Sequence, residues 1–124
     1  MLRAGIDMIE VERIDDAILR FGSRFFERFF AEHELIDANG RTPALAARFA
    51  AKEAVAKALG TGIGEVGWLE IEILTGSRGE PLLLLHGDAL RVRVSHEGQF
   101  RLGMSSRISL SVPFSIFSLL FDWL

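Results

Sequence analysis

The sequence predicts an α+β fold in which a mainly antiparallel sheet packs against one long central helix, in a single compact domain. The chain has 124 residues, which is enough for one hydrophobic core but not for two. Helical periodicity dominates the first half, and strand-like alternation begins near residue 68. The chain contains no cysteine, so disulfides and thiolate metal sites are excluded and the fold must depend on its core. Helices followed by antiparallel strands are typical of the α+β class.

The first third of the chain is predicted to contain one strand and two helices. Residues 5–9 are an apolar run of strand length, interrupted only by Asp7. Apolar residues then recur at helical spacing as far as Gly22, namely Val11, Ile14, Ile18 and Phe21. Ser23 is placed to cap a second helix with an aromatic face formed by Phe25, Phe26, Phe29 and Phe30.

A third predicted helix is the most clearly marked element of the sequence. Thr42 is suited to the N-cap, Pro43 to the first helical position, and Gly60 to the position just after the last turn. We therefore predict a helix of about five turns between these residues. This is the long central helix against which the sheet is expected to pack.

The second half is predicted to be built from strands. Leu69, Ile71 and Ile73 alternate with glutamates, residues 76–81 have turn composition, and residues 82–85 form the returning strand. A further strand around residues 92–94 is predicted to turn at residues 96–98 into a partner at residues 100–104. Residues 114–124 are apolar, and their periodicity fits a strand or a buried helix equally.

Charge and hydropathy exclude two classes of partner. The net charge of −3 does not favour nucleic acid, because binding to phosphate backbones requires a surplus of basic residues. The N-terminus lacks the apolar region of a secretory signal. The uncharged run at residues 108–121 is too short to cross a bilayer. We therefore expect a cytoplasmic protein that binds neither nucleic acid nor membranes.

The predicted central helix carries Glu53 and Lys57 one turn apart, in one stripe with Ala46 and Ala50. The small alanines would let a ligand approach, and the glycine-rich turn at residues 60–64 could offer backbone N–H groups to a phosphate. The same residues also have a purely structural interpretation. A glutamate four residues before a lysine stabilises a helix, and glycines commonly end one.

Asp7 is a second candidate, because a carboxylate in an apolar strand is costly unless it is paired or bound to a metal. If Asp7 and Glu53 meet, their oxygens suit Mg²⁺; a salt bridge or a helix cap is the alternative. His33, His86 and His96 lack metal-ligand spacing, so no zinc site is predicted. Arg13 and Arg20 share one helix face, which is either solvated or docks an acidic partner.

Four segments, in this order, resemble the holo-acyl-carrier-protein synthases. The first is GIDMIEVERI at residues 5–14, and the second and most specific is RFAAKEAVAKALGTGIG at residues 48–64. The third is GEP at residues 79–81, where the family has Gly-Lys-Pro, and the fourth is VRVSH at residues 92–96, where the family strand usually has a residue between the serine and the histidine. Residues 105–124 are an apolar extension beyond these matches.

The resemblance implies an enzyme that transfers 4′-phosphopantetheine from coenzyme A to a serine of apo acyl carrier protein and releases adenosine 3′,5′-bisphosphate. It implies that Asp7 and Glu53 bind Mg²⁺, and that Glu53 and Lys57 are catalytic. It also implies a homotrimer with active sites between subunits. The implied contacts are Arg13 and Arg20 with the carrier protein, and Arg48, Gly60, Thr61, Gly62, Gly64 and His96 with coenzyme A. The alternative is a catalytically impaired module of the same fold that binds the carrier or a nucleotide.

Overall fold

The computed structural model describes residues 2–90, 92–97 and 114–122 of the chain, with side chains for residues 5–89. Four helices are present in this part of the chain: α1 (Val11–Phe21), α2 (Ser23–Phe29), α3 (Glu32–Ala38) and α4 (Thr42–Leu59). A 3-10 turn at Trp68–Glu70 precedes the second half of the fold. The strands are β1 (Leu2–Glu10), β2 (Ile71–Thr75), β3 (Pro81–Leu85), β4 (Asp88–Leu90), β5 (Val92–Glu97) and β6 (Phe114–Asp122).

The described strands form two three-stranded antiparallel sheets, in the orders β1-β6-β5 and β2-β3-β4, and α4 packs against β1, β6 and β2. In the first sheet β6 lies between the other two strands, with Leu2 opposite Asp122 on one side and Val92 opposite Phe121 on the other. In the second, Ile71 lies opposite Leu85. The predicted α+β class, with antiparallel strands packed on a long helix, is confirmed, and residues 114–122 are a strand.

The core lies on both sides of α4. One cluster joins the alanines of its second half to the sheet β2-β3, with Ile71 and Leu83 at its centre. The other joins its first half to α1 and α2 through Ile14, Phe25 and Phe30. Because alanine fills little volume, neighbouring elements approach the α4 backbone closely. Helix α4 thus supports β1 and α1, the elements that carry Asp7 and Arg13.

Several predicted boundaries differ from the structure. Helix α3 was not predicted, so the predicted third helix is α4. Neither proposed N-cap holds: Ser23 is the first residue of α2, after Gly22, and Thr42 begins α4, after Arg41. The Thr42 hydroxyl instead donates to Asp15 Oδ1 at 2.6 Å, because that carboxylate on α1 lies within reach.

The predicted strand around Leu69 begins two residues later. Leu69 is half exposed and belongs to the 3-10 turn, while Ile71 and Ile73 are buried as expected. Strand β4 was also missed; it follows a tight turn in which His86 and Gly87 both have positive φ. The predicted strand at residues 100–104 lies outside the described residues. Across the helices of the described segments, none is long and apolar enough to cross a membrane.

Candidate functional site

The site begins where β1 crosses α4. A Cβ built on Gly5 would lie 1.9 Å from the Ala54 carbonyl oxygen, a distance that no side chain can occupy. Glycine at this position therefore lets the strand lie directly on the helix backbone. Two residues further on, side chains of β1 return to the same face of the strand, so Asp7 faces the same helix. The close approach at Gly5 is what brings Asp7 beside Glu53 and Lys57.

Asp7 is paired with Lys57 in this structure. Lys57 Nζ donates to Asp7 Oδ1 at 2.5 Å and lies 3.4 Å from the Ile6 carbonyl oxygen. The Asp7 side chain is only 17% exposed, whereas that of Lys57 is 53% exposed. The ammonium therefore covers the carboxylate from the solvent side. The sequence left Asp7 either as a metal ligand with Glu53 or as a member of a salt bridge. In the structure the salt bridge with Lys57 forms, and it lies beside Glu53.

Glu53 is half-buried and makes no hydrogen bond or ion pair with another described side chain. Burial raises the pKa of its carboxyl group, and the charge of Asp7 raises it further, while Lys57 opposes both. The hydrogen bond to Asp7 raises the pKa of the Lys57 ammonium. Among the described side chains, the site thus holds two neighbouring carboxylates and the Lys57 ammonium, which is hydrogen-bonded to Asp7 and not to Glu53.

The donor set fits Mg²⁺ better than a transition metal. No group of three or more His, Cys, Asp or Glu side chains among the described residues could hold a metal ion. Mg²⁺ is commonly held by one or two carboxylates, with water and substrate phosphates completing its coordination. Asp7 and Glu53 are the two residues here that would hold it, and their role as metal ligands stays a prediction.

A groove of about 790 Å³ opens from this carboxylate pair along α1 and α2. Its apolar wall contains Ile14 and four aromatic rings, those of Phe21, Phe25, Phe29 and Phe49. Its cations are Arg13 on α1, and Arg24 and Arg28 on α2, all of them exposed. We call this surface, from Asp7 and Glu53 to the three arginines, the arginine groove.

Arg24 and Arg28 were missed by the sequence analysis. They lie four residues apart, so the helical spacing that revealed the phenylalanine face also puts both on one face. That signal was available in the sequence. Of the two predicted arginines, Arg13 lines the groove, whereas Arg20 lies outside its lining, with its guanidinium 5.2 Å from the centre of the Phe21 ring.

Arg48 does not reach the groove within its own chain. It is 7% exposed, and its guanidinium donates to the Ile73 carbonyl oxygen at 3.0 Å and to Thr75 Oγ1 at 2.9 Å. Asp37 lies 3.8 Å away. Burial lowers the pKa of this guanidinium, and the charge of Asp37 opposes the shift. These contacts fix α4 to β2, a structural role that the sequence did not suggest.

The glycine turn after α4 uses its own backbone amides. The N–H groups of Gly60, Gly62 and Gly64 donate to the carbonyl oxygens of Lys57, Ala56 and Val66. All three glycines have positive φ, which is why glycine is needed at these positions. The three amides are therefore engaged within the turn. Thr61 is exposed between them.

The remaining candidates, two alanines and three histidines, have simpler outcomes. Ala46 and Ala50 are fully buried, so they admit neighbouring elements and not a ligand. His96 pairs with Phe117 in the backbone register of β5 and β6, and its side chain lies outside the described part of the structure. His33 and His86 are exposed near Glu72 and Glu70 respectively, and neither lines the groove.

Two comparisons of the sequence with known proteins point to the same family. The family model of the 4′-phosphopantetheinyl transferase superfamily matches residues 3–109. A holo-[acyl-carrier-protein] synthase of Herpetosiphon aurantiacus is 46% identical over 96 residues, which is 72% of this chain and 76% of that protein.

Solved structures give the same result at the level of the fold. The Helicobacter pylori holo-[acyl-carrier-protein] synthase in complex with coenzyme A matches 96% of this chain and 99% of its own, with a TM-score of 0.76 and 27% identity. The Bacillus anthracis synthase in complex with CoA (3′,5′-ADP) matches 96% of this chain and 94% of its own, with a TM-score of 0.71 and 34% identity.

Proposed function

Because this chain belongs to the 4′-phosphopantetheinyl transferase superfamily, as a transferase of the holo-acyl-carrier-protein synthase type, we propose that its arginine groove is where an apo acyl carrier protein meets coenzyme A. The observation that carries the proposal is the position of Asp7 and Glu53 at one end of a cationic, aromatic groove. We further infer that residues 1–124 act as one transferase domain.

The reaction transfers a phosphoryl-linked group to a hydroxyl. The carrier serine oxygen attacks the pyrophosphate phosphorus that bears pantetheine, a P–O bond to the adenosine 3′,5′-bisphosphate breaks, and the serine proton must be accepted. We assign the proton to the Glu53 carboxylate, which is half-buried and lines the groove where the serine would enter. Such a reaction depends on alignment and charge neutralisation more than on covalent chemistry by the protein.

Charge neutralisation is assigned to Lys57 and to a cation held by Asp7 and Glu53. Lys57 is half exposed above Asp7, so its ammonium can contact an incoming phosphate. Mg²⁺, when bound, would polarise the pyrophosphate and stabilise the leaving phosphate. The contact of coenzyme A with Thr61, the neighbouring glycines, Arg48 and His96 stays a prediction from the family resemblance.

The rest of the groove suits an acidic helix with an apolar face. Three exposed guanidinium groups surround the aromatic wall, so an acidic partner would be attracted by charge and then bury apolar surface. The family resemblance also implies that the carrier protein is recognised through an acidic helix, and such a helix has this chemistry. We therefore extend the predicted contact of Arg13 and Arg20 to Arg24 and Arg28.

Reversing one of the added arginines tests the docking assignment. We expect Arg28→Glu to raise the KM for apo carrier protein about tenfold, with the KM for coenzyme A unchanged, because the substitution replaces attraction by repulsion. Raising the salt concentration should reduce the difference from wild type. Steady-state kinetics with each substrate varied in turn would measure it.

The matched control for this experiment is Arg78→Glu. It makes the same change of charge in the exposed turn between β2 and β3, outside the groove lining. Its KM for the carrier should stay close to that of wild type. Equal effects of the two substitutions would show that net charge, and not the groove, governs binding.

The proposed transfer must also be separated from binding alone. We expect the protein to bind coenzyme A in a calorimetric titration and, with apo carrier and Mg²⁺ added, to release adenosine 3′,5′-bisphosphate at the rate at which holo carrier forms. Binding without release, in a reaction that a known synthase completes, would support the impaired binding module instead.

The homotrimer and the cytoplasmic location are proposals of the same kind. Ile6 is 61% exposed on β1 and lies outside the groove lining, which supports burial of this strand against another subunit. Light scattering after gel filtration would measure the mass of the assembly. A monomer with full activity would contradict sites formed between subunits.

A further inference from the structure

Lys52 precedes the proposed base Glu53 in α4 but lies inside the protein. It is fully buried, and its ammonium donates to three oxygens: Glu34 Oε2 at 2.6 Å, the Phe29 carbonyl at 2.7 Å and the Trp68 carbonyl at 2.9 Å. An ammonium has three N–H donors, and all three have partners here. The ring of Phe30 adds a cation–π contact, with the ammonium 5.4 Å from its centre.

Glu34 extends this buried hydrogen-bond network. It is also fully buried, and it accepts the Ala31 amide at 2.8 Å and the Ile73 amide at 2.9 Å in addition to Lys52. The pair therefore joins the end of α2, the start of α3, helix α4, the 3-10 turn and β2. Burial lowers the pKa of Lys52, and the charge and hydrogen bond of Glu34 oppose that shift.

The two carbonyls held by Lys52 belong to residues whose rings also meet. The Phe29 and Trp68 rings are 4.9 Å apart at 85°, and Phe49 stacks on Trp68 at 4.6 Å. Phe29 and Phe49 line the arginine groove. Arg28 precedes Phe29, with its guanidinium 5.6 Å from that ring. The position of Lys52 Nζ thus determines where the C-terminal end of α2 lies relative to α4.

Stability alone does not explain a charged pair at this place. Apolar residues of similar volume often replace a buried ion pair without loss of stability. What an apolar pair cannot do is draw two carbonyl oxygens from separate elements to one point. If the α2 wall moved, the groove would no longer match the surface of its partner, and binding of the carrier protein would weaken.

We propose that Lys52 is a positioning residue for carrier-protein docking: by holding the Phe29 and Trp68 carbonyls, it fixes the α2 wall of the arginine groove relative to Glu53. The inference rests on the proposed function. It concerns binding of the carrier protein and not the chemical step, so Lys52 is not assigned a contact with substrate.

The first test is the double variant Lys52→Met/Glu34→Gln, which removes both buried charges together. We expect the KM for apo carrier to rise about tenfold, while kcat and the KM for coenzyme A change by about twofold at most. An unchanged carrier KM in the folded double variant would overturn the proposal. Comparable impairment of the carrier KM, kcat and the KM for coenzyme A would also overturn it, because general destabilisation of the protein would then explain the result.

The second test, Lys52→Arg, keeps the charge opposite Glu34 and so protects folding. The planar, longer guanidinium cannot bring the same two carbonyls to one point, and we expect the carrier KM to rise about fivefold with kcat retained. A wild-type carrier KM in Lys52→Arg would contradict the assignment even if the double variant did not fold.

The matched control is Asp37→Asn, which weakens the hydrogen bond from the Thr75 amide and the ion pair with Arg48, both away from the groove. It should lower stability without a selective rise in carrier KM. Failure of the proposed function would be recognised separately, because the wild-type protein itself would then transfer nothing.

Discussion

Replacing Gly5 with alanine is expected to destabilise the protein by about 3 kcal/mol and to remove transferase activity, because the new methyl group must displace the α4 backbone. Its Cβ would lie 1.9 Å from the Ala54 carbonyl oxygen and 3.0 Å from the Ala58 amide nitrogen. Backbone atoms inside a helix cannot move aside as a flexible side chain can. Strand β1 must therefore shift, and Asp7 shifts with it away from Glu53.

Urea unfolding would measure the stability of Gly5→Ala, and Gly67→Ala is the matched control. Gly67 has a negative φ, and a Cβ there would meet Glu70 at 3.5 Å, an ordinary van der Waals distance. We expect Gly67→Ala to change stability by about 0.5 kcal/mol at most. If Gly5→Ala were as stable and as active as this control, the close contact of β1 with α4 would not be what assembles the site.

Asp7→Asn and Glu53→Gln are each expected to lower kcat at least about 100-fold and to weaken Mg²⁺ binding, since each removes one of two carboxylates assigned to the metal. Both substitutions keep the size of the side chain. Calorimetric titration with Mg²⁺ and steady-state transfer kinetics would measure the two effects. The control is Asp16→Asn, an exposed carboxylate of α1 outside the groove lining.

The inactive Glu53→Gln variant should not be a less stable protein. The pKa of Glu53 is raised in the folded state, chiefly by burial, so its contribution to stability is present at low pH and is lost as the pH rises through the folded pKa. In metal-free protein we therefore expect wild type to lose stability relative to Glu53→Gln as the pH rises above the ordinary pKa of a glutamate. The opposite trend would mean that Glu53 is held as a stabilised carboxylate.

The helical part of the site could be predicted because it depends on local spacing. Glu53 and Lys57 share a face by helical geometry alone, and Gly60 ends the helix with φ of 78° as its position suggested. That Asp7 lies beside these residues could not be predicted from the sequence and could only be stated as a condition. It depends on a contact between Gly5 and Ala54, which are 49 positions apart and whose approach no periodicity records.

Other features escaped prediction for similar reasons. Helix α3 is seven residues long and depends on Glu34, whose partners Lys52 and Ile73 come from other elements. Strand β6 pairs with β1 on one side and with β5 on the other, and no local sequence pattern predicts either pairing. Both are tertiary effects, and an apolar run such as residues 114–122 has the same composition whether it becomes a strand or a buried helix.

The most direct test of this account is the intact mass of an apo acyl carrier protein after incubation with coenzyme A and this protein. With Mg²⁺ present, the carrier should gain the mass of one phosphopantetheine group on its serine; with Mg²⁺ chelated, it should gain none. A carrier that stays unmodified with Mg²⁺, under conditions in which a related synthase modifies it fully, would contradict the proposed function.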